Sequence, residues 1–295
     1  MTTKMKKVLG RLLVALLLVG AGALAVRSYR SLQAPPLQPW HTFVPVEWRA
    51  DELDAADWPR YVEQEQAIFD SVQANVTRKL EPDERVPYNR YFEGSPVFPP
   101  KFGHDWNRSY VIEPASAPRG AVVLLHGLTD SPYSLRHIAR RYAEHGYVAI
   151  GMRMPGHGTV PGGLTDVRWE DWSAATRLAV REARRRVPAP APLHLVGFSN
   201  GGALAMKYAL DALADPTLPR AERLVLISPM IGITAFARFA GFFGWPAVFP
   251  AFANAAWLAV VPEFNPFKYN SFPVNGARQS SLLTRVLQDQ IADYA

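Results

Sequence analysis

Ser199 stands in Gly197-Phe198-Ser199-Asn200-Gly201, a Gly-x-Ser-x-Gly pentapeptide whose spacing suits a nucleophilic hydroxyl. The apolar run from Leu193 leads into it, and the small, helix-forming run Ala203-Leu204-Ala205-Met206 follows. That order predicts a buried strand, a sharp turn and a helix, with the serine at the tip of the turn. Backbone at such a tip is strained, so the residues two positions away must lack bulk, a condition that Gly197 and Gly201 meet. A helix that begins just after the serine also aims free N–H groups and the positive end of its dipole at the reacting centre. The chemistry is acyl transfer: the hydroxyl attacks a carbonyl carbon, and the developing oxyanion needs two donors. One is the backbone N–H of Asn200. The other falls after the apolar run Ala121–Leu125, where His126-Gly127-Leu128 lies, which makes the Leu128 N–H the candidate. Losing one such donor typically costs about 3 kcal/mol of transition-state stabilisation.

These residues need a scaffold, and the chain supplies an alternating rhythm. Ser109–Glu113 reads as an early edge strand, and Ala121–Leu125 as a continuous apolar strand of the kind found inside a parallel sheet. Ser134–His145 is expected as a helix, Tyr147–Met152 as a strand, and Trp169–Arg186 as an amphipathic helix closed by Pro188. Leu193–Phe198, Gly202–Leu213 and Arg223–Ser228 complete the strand–helix–strand series. Alternation of this kind implies parallel pairing, right-handed crossovers and a site at the carboxyl ends of the strands. Upstream, Asp51–Leu80 has apolar residues near helical spacing and is expected as one helix.

The 295 residues carry a net charge of +6. Lys4, Lys6, Lys7, Arg11, Arg27 and Arg30 all precede the first acid, Glu47, so the remainder is balanced and a nucleic-acid-binding face is not expected. The excess belongs to a basic start followed by the apolar run Leu12–Val26, with Ala23 and Ala25 forming an A-x-A-like cleavage site. A cleaved signal peptide and an uncleaved anchor both fit, the latter if the span takes in Val8–Gly10 and Arg11 snorkels. In either case the lysines stay inside and the body is exported, either anchored in the inner membrane or secreted. Residues 31–50, rich in Pro and Gln at the start, are expected as a linker. The chain has no cysteine, which removes disulfides, thiolate nucleophiles and Cys-based metal sites.

Four motifs in order, Leu125-His126-Gly127-Leu128-Thr129-Asp130-Ser131, Pro155-Gly156-His157-Gly158-Thr159, Trp169-Glu170-Asp171-Trp172 and Gly197-Phe198-Ser199-Asn200-Gly201-Gly202, resemble the bacterial carboxylesterase and monoacylglycerol-lipase-like branch of the α/β-hydrolases. The resemblance covers roughly Tyr110–Pro229. It implies an α/β fold, with a mostly parallel sheet, helices on both faces and a helical lid insertion, and serine esterase chemistry on small-molecule acyl esters without a cofactor. It also implies a structural rather than catalytic role for His157, and His194 reads as a core histidine facing away from Ser199.

The domain expectation is a signal segment over 1–30, a linker over 31–50, a helical extension over 51–104, a hydrolase core over 105–229 and a lid over 230–295. Phe236, Phe239, Phe242, Phe243, Trp245, Phe249, Phe252, Trp257, Phe264 and Phe267 crowd that last stretch, and an apolar lid would hold a medium or long acyl chain such as that of a monoacylglycerol or lysophospholipid.

The pattern is departed from in one respect. Hydrolases of this fold supply Ser, then an acid, then His, yet no histidine follows Ser199. Asp211, Asp215, Asp289 and Asp293 fall in or at the ends of expected helices rather than after strands. The last strands are therefore expected to be missing, with the base and the acid beyond Ala295. The alternatives are a membrane-anchored binding protein that lacks a triad, and a peptidase or acyltransferase on the same scaffold.

Overall fold

The computed structural model describes residues 3–232 and 244–294. In chain order the helices are α1 (Thr3–Gln33), α2 (Pro39–Thr42), α3 (Ala50–Ala55), α4 (Trp58–Asn75), α5 (Arg136–Glu144), α6 (Trp169–Arg186), α7 (Asn200–Ala214) and α8 (Val274–Tyr294). The strands are β1 (Tyr110–Ile112), β2 (Gly120–Leu125), β3 (Tyr147–Met152), β4 (Leu193–Phe198), β5 (Arg223–Ile227), β6 (Trp257–Ala259) and β7 (Phe272–Pro273). The main sheet has the order β1-β3-β2-β4-β5, parallel except for β1, which runs antiparallel to β3.

The apolar run of β2 is buried at every position because helices cover both faces. One layer, with Val123, Leu125, Ile150 and Leu195, packs on Trp172, Leu178 and Leu204 of α6 and α7. The other, with Val122, Leu124 and Val196, packs on Leu135 and Ala139 of the α5 side. β5 differs. Among the described residues nothing pairs with its outer edge, and Leu224, Val225, Leu226 and Ile227 are half-buried where β2 is fully covered.

Several sequence expectations are corrected. The helix expected over Asp51–Leu80 is two helices, because Ala56 takes an extended conformation (ψ 154°) and Asp57 starts a new one, its carboxylate accepting from the Arg60 N–H at 3.0 Å. The new helix buries Trp58, Tyr61, Glu65, Ile68 and Val72, a stripe at three- and four-residue intervals. Residues 31–50, expected as a linker, are folded onto the body: Ser31, Trp40 and His41 are buried there. Of the stretch expected as a lid, residues 274–294 form α8, whose Leu283 and Leu287 join the main core beside α6 and α7. Trp257 and Phe267 are also buried, whereas Phe249 and Phe264 are exposed. Phe236, Phe239, Phe242 and Phe243 lie outside the described residues.

His41 ties the N-terminal segment to the stretch before α8. Its Nδ1 accepts from the Gln38 N–H at 3.0 Å, which leaves the Nε2–H to donate to Ser271 Oγ at 3.0 Å. Burial holds its imidazole down at about 4. The unfolded chain takes up this proton near pH 6.5. The stabilising preference for neutral His41 is therefore present above pH 6.5 and is lost as pH falls toward 4. We expect about 3 kcal/mol of unfolding free energy to disappear across that window. His41→Gln, which keeps a donor but not the titration, should flatten this loss in denaturant melts run from pH 7 to pH 4.

Candidate active site

β4 delivers Ser199 to the carboxyl end of the sheet's strands, and the backbone there departs from every regular conformation. Ser199 has φ 53° and ψ −116°, a sparsely populated region for a residue with a side chain. Four backbone bonds hold it. The Ser199 N–H donates to Ile227 O at 3.0 Å, and the N–H groups of Met230, Gly202 and Ala203 donate to Ser199 O at 2.9, 3.0 and 3.4 Å. The chain leaving β5 thus clamps the turn from outside, while α7 starts inside it.

The glycines are required for the reasons that their spacing suggests. A Cβ on Gly197 would lie 2.3 Å from Gly201 O, and one on Gly201 would lie 2.0 Å from Leu125 O and 2.6 Å from His126 O. All three obstacles are backbone atoms that cannot rotate away. Gly201→Ala should therefore cost at least about 2 kcal/mol, seen as a lower denaturant midpoint, and should displace the 126–128 loop from the serine.

That loop lies against the nucleophile. A Cβ on Gly127 would come within 3.3 Å of Ser199 Cβ. Among the described residues the backbone N–H groups of Leu128 and Asn200 donate to nothing. For Asn200 this follows from its place as the first residue of α7, where the four leading N–H groups have no partner within the helix. Thr129, next in the loop, has φ 62°, a second uncommon backbone in the same small region. The side chain of Asn200 is buried, and its Oδ1 accepts from Ser280 Oγ of α8 at 2.7 Å. The structure therefore brings Ser199, Leu128 and Asn200 together.

The histidines are placed elsewhere. His126 Nε2 accepts from the Met154 N–H at 3.1 Å, so its Nδ1–H donates to Gly127 O at 2.9 Å. His157 donates from Nδ1 to Pro155 O at 3.0 Å, its Nε2 has no partner, and its ring lies among those of His126, Trp172 and Tyr269. Burial drives both imidazoles below their usual range, and the His126 beside it lowers His157 further. Both are neutral supports of the loops under the site. His194 sits within β4 against Tyr142 and Tyr147, far along the strand from its serine end. Among the described residues Ser199 Oγ makes no hydrogen bond.

Two supports were not visible in the sequence. Arg153 is fully buried, pairs with Glu47 at 2.7 and 3.0 Å and with Glu65 at 3.1 Å, and donates to His157 O at 3.1 Å. Glu47 also accepts from the Gly156 N–H at 2.9 Å, and Tyr61 and Ser109 donate to Glu65 at 3.1 and 2.8 Å. The N-terminal extension thereby fixes the Pro155–Thr159 loop from below. Tyr269 fixes it from the other side. Its N–H donates to Thr129 O at 2.7 Å, its hydroxyl donates to Gly156 O at 3.0 Å, and that hydroxyl accepts from the Thr159 N–H at 2.8 Å. Burial pushes the Tyr269 phenol well up, so it stays a neutral donor.

The sequence model of the serine aminopeptidase S33 group of hydrolases matches residues 116–283, more than half of the chain. The chain belongs to that family. A thermostable monoacylglycerol lipase from Bacillus sp. (strain H-257) is 32% identical over 99 residues, which span 33% of this chain and 38% of the lipase. The matched stretch is thus well under half of that relative. A solved structure from work on the metagenome-derived lipolytic enzymes LipS and LipT superposes with a TM-score of 0.51 at 22% identity, covering 63% of this chain and 71% of that one. The fold is that of an α/β-hydrolase, as the four motifs imply.

Proposed function

We propose that this protein cleaves carboxylic esters through an acyl-serine intermediate, with Ser199 as nucleophile and the N–H groups of Leu128 and Asn200 as the oxyanion hole. The observation that supports this best is the strained Ser199 backbone beside two backbone donors with no other partner. Ser199 Oγ attacks the acyl carbon, the carbonyl oxygen gains charge between the two N–H groups, and the alcohol leaves with a proton. Water then repeats the sequence to release the acid. A neutral histidine must take the Ser199 proton. The described residues bring none to Ser199 Oγ, so turnover calls for one supplied from outside them.

The substrate reading is a medium or long acyl ester of the monoacylglycerol or lysophospholipid type, favoured by the aromatic content of residues 236–267 and by the lipase relative. The family description favours a second reading, cleavage of an aminoacyl amide. Initial rates on a C8–C16 monoacylglycerol series and on aminoacyl anilides separate the two. Faster turnover of the esters supports the first, and faster turnover of the anilides overturns it. If the protein taken from its source turns over neither donor above a Ser199→Ala control, the reading becomes that of a hydrolase-like binding protein.

For location, we propose that α1 is a retained anchor with the body on the side opposite Lys4, Lys6 and Lys7. Among the described residues, one helix, over Met5–Gln33, is long and apolar enough to cross a membrane. Its last turns are packed on the body, where Arg27 donates to the carbonyls of Ala255 and Trp257 and Ser31 is buried.

A further inference from the structure

Where α1 meets the body, two adjoining hollows share Arg27, Arg30 and Leu258. The first, about 170 Å³, lies between the last turns of α1 and the 254–260 strand region. Three buried polar atoms without a hydrogen-bond partner belong to residues that line it: Arg27 Nε, Ser31 Oγ and Asn254 Oδ1. Ser31 is only 7% exposed. Asn254 is held in place by its amide, which donates to Pro35 O at 3.3 Å. Leaving such groups unpaired in a buried place is unfavourable, so three in one hollow point to a polar occupant. No carboxylate lines it, and two guanidinium groups do, a setting that suits an anion rather than a cation.

The second hollow, about 420 Å³, runs up α1 from the same arginines along Gly22, Ala23 and Val26, with Leu258 on the opposite wall. A Cβ on Gly22 would meet nothing within 4 Å, so this side of the helix is open. Its lining is apolar apart from the arginines. The apolar run of α1 ends at Val26. Arg27 and Arg30 therefore lie at most about 6 Å further along the axis, at the depth where a hydrocarbon core gives way to phosphate. Leu258, Val248 and Phe249 are exposed, and the 245–256 segment packs against α1.

We propose that this cleft holds one anionic glycerophospholipid, with its phosphate against Arg27, Arg30 and Ser31 and one acyl chain along Gly22–Val26. Asn254 Oδ1 accepts from a hydroxyl of the headgroup. The lipid fills the seam between anchor and body and sets the body's height above the membrane. This rests on α1 being retained, not on the esterase reading.

The test uses the full-length protein, delipidated in dodecyl maltoside and titrated with palmitoyl-oleoyl phosphatidylglycerol or phosphatidylcholine under native mass spectrometry. Phosphatidylglycerol should bind on the order of tenfold more tightly than phosphatidylcholine. The Arg27→Gln/Arg30→Gln pair should lose that preference. Leu258→Trp, which fills the apolar hollow without removing a charge, should weaken both lipids by a similar factor. Arg11→Gln, which removes a charge at the other end of α1, should change nothing. Equal binding by all variants overturns the proposal. So does displacement of the lipid by millimolar inorganic phosphate, which would make this a pocket for a free anion. The intact mass of the membrane-extracted protein separates the two levels. Loss of residues 1–25 defeats the anchor and the lipid site together, whereas a retained α1 without lipid preference defeats the lipid site alone.

Discussion

Ser199→Ala should abolish ester turnover, lowering kcat by at least about 10⁴-fold while leaving substrate binding within a factor of a few. The change removes one oxygen from a residue whose backbone is held by Ile227, Met230 and Gly202 rather than by its side chain, so the turn should persist. The informative contrast is with the oxyanion donors, which are backbone groups that substitution cannot remove directly. Gly201→Ala moves them by displacing the loop that ends β2, so it should lower kcat and stability together. Ser199→Ala should lower kcat alone. A Ser199→Ala protein that keeps full turnover would place the nucleophile elsewhere.

Arg153→Ala should be the most destabilising single change in the body, by about 3–5 kcal/mol. Its guanidinium is the only cation paired with Glu47 and Glu65 among the described residues, and all three side chains are buried. Removing it leaves two carboxylates facing one another in a dry site. The same reasoning gives a more specific result. Replacing all three together with apolar residues of similar volume should recover much of the loss, because the penalty comes from uncompensated charge rather than from a missing attraction. Denaturant midpoints of the single and triple variants measure both. The triple variant should still lower activity, since Glu47 also holds the Gly156 N–H and Arg153 holds His157 O in the loop beneath the site.

The difference between these two predictions reflects what a sequence exposes. Ser199, Gly197 and Gly201 were legible because their constraint is local: five residues must fit one strand-to-helix turn, and the backbone atoms that forbid a Cβ lie within that turn or on the neighbouring strand. Leu128 is proposed through order, as the residue that follows a buried strand by a fixed step. Arg153, Glu47 and Glu65 carry no such mark. Arg153 and Glu47 are 106 positions apart, and each reads in sequence as an ordinary surface charge. Tyr269 is similar, an aromatic in a run of aromatics whose hydroxyl happens to reach Gly156 and Thr159. The Pro-rich stretch after α1 was misread as a linker for a related reason. Prolines exclude a long helix but do not exclude packing, and Trp40 and His41 are buried between them. The helix expected over 51–80 failed at Ala56, where apolar spacing continues but Asp57 and Pro59 restart the helix instead.

The open flank of β5 bears on how the site is completed. Its four apolar residues are half-buried, and its outer edge has no partner among the described residues. The same strand hands its Ile227 carbonyl to Ser199. A group arriving on that flank would therefore stand beside the nucleophile.

The most direct measurement is covalent labelling of the protein, taken with its membranes from the source, by a fluorophosphonate, followed by peptide mass spectrometry. An activated serine hydrolase should carry the phosphonyl group on the peptide containing Ser199, and prior heat denaturation should remove the labelling. Absence of the adduct from folded protein, with the label reaching other serine hydrolases in the same membranes, would contradict an acyl-serine mechanism for this chain.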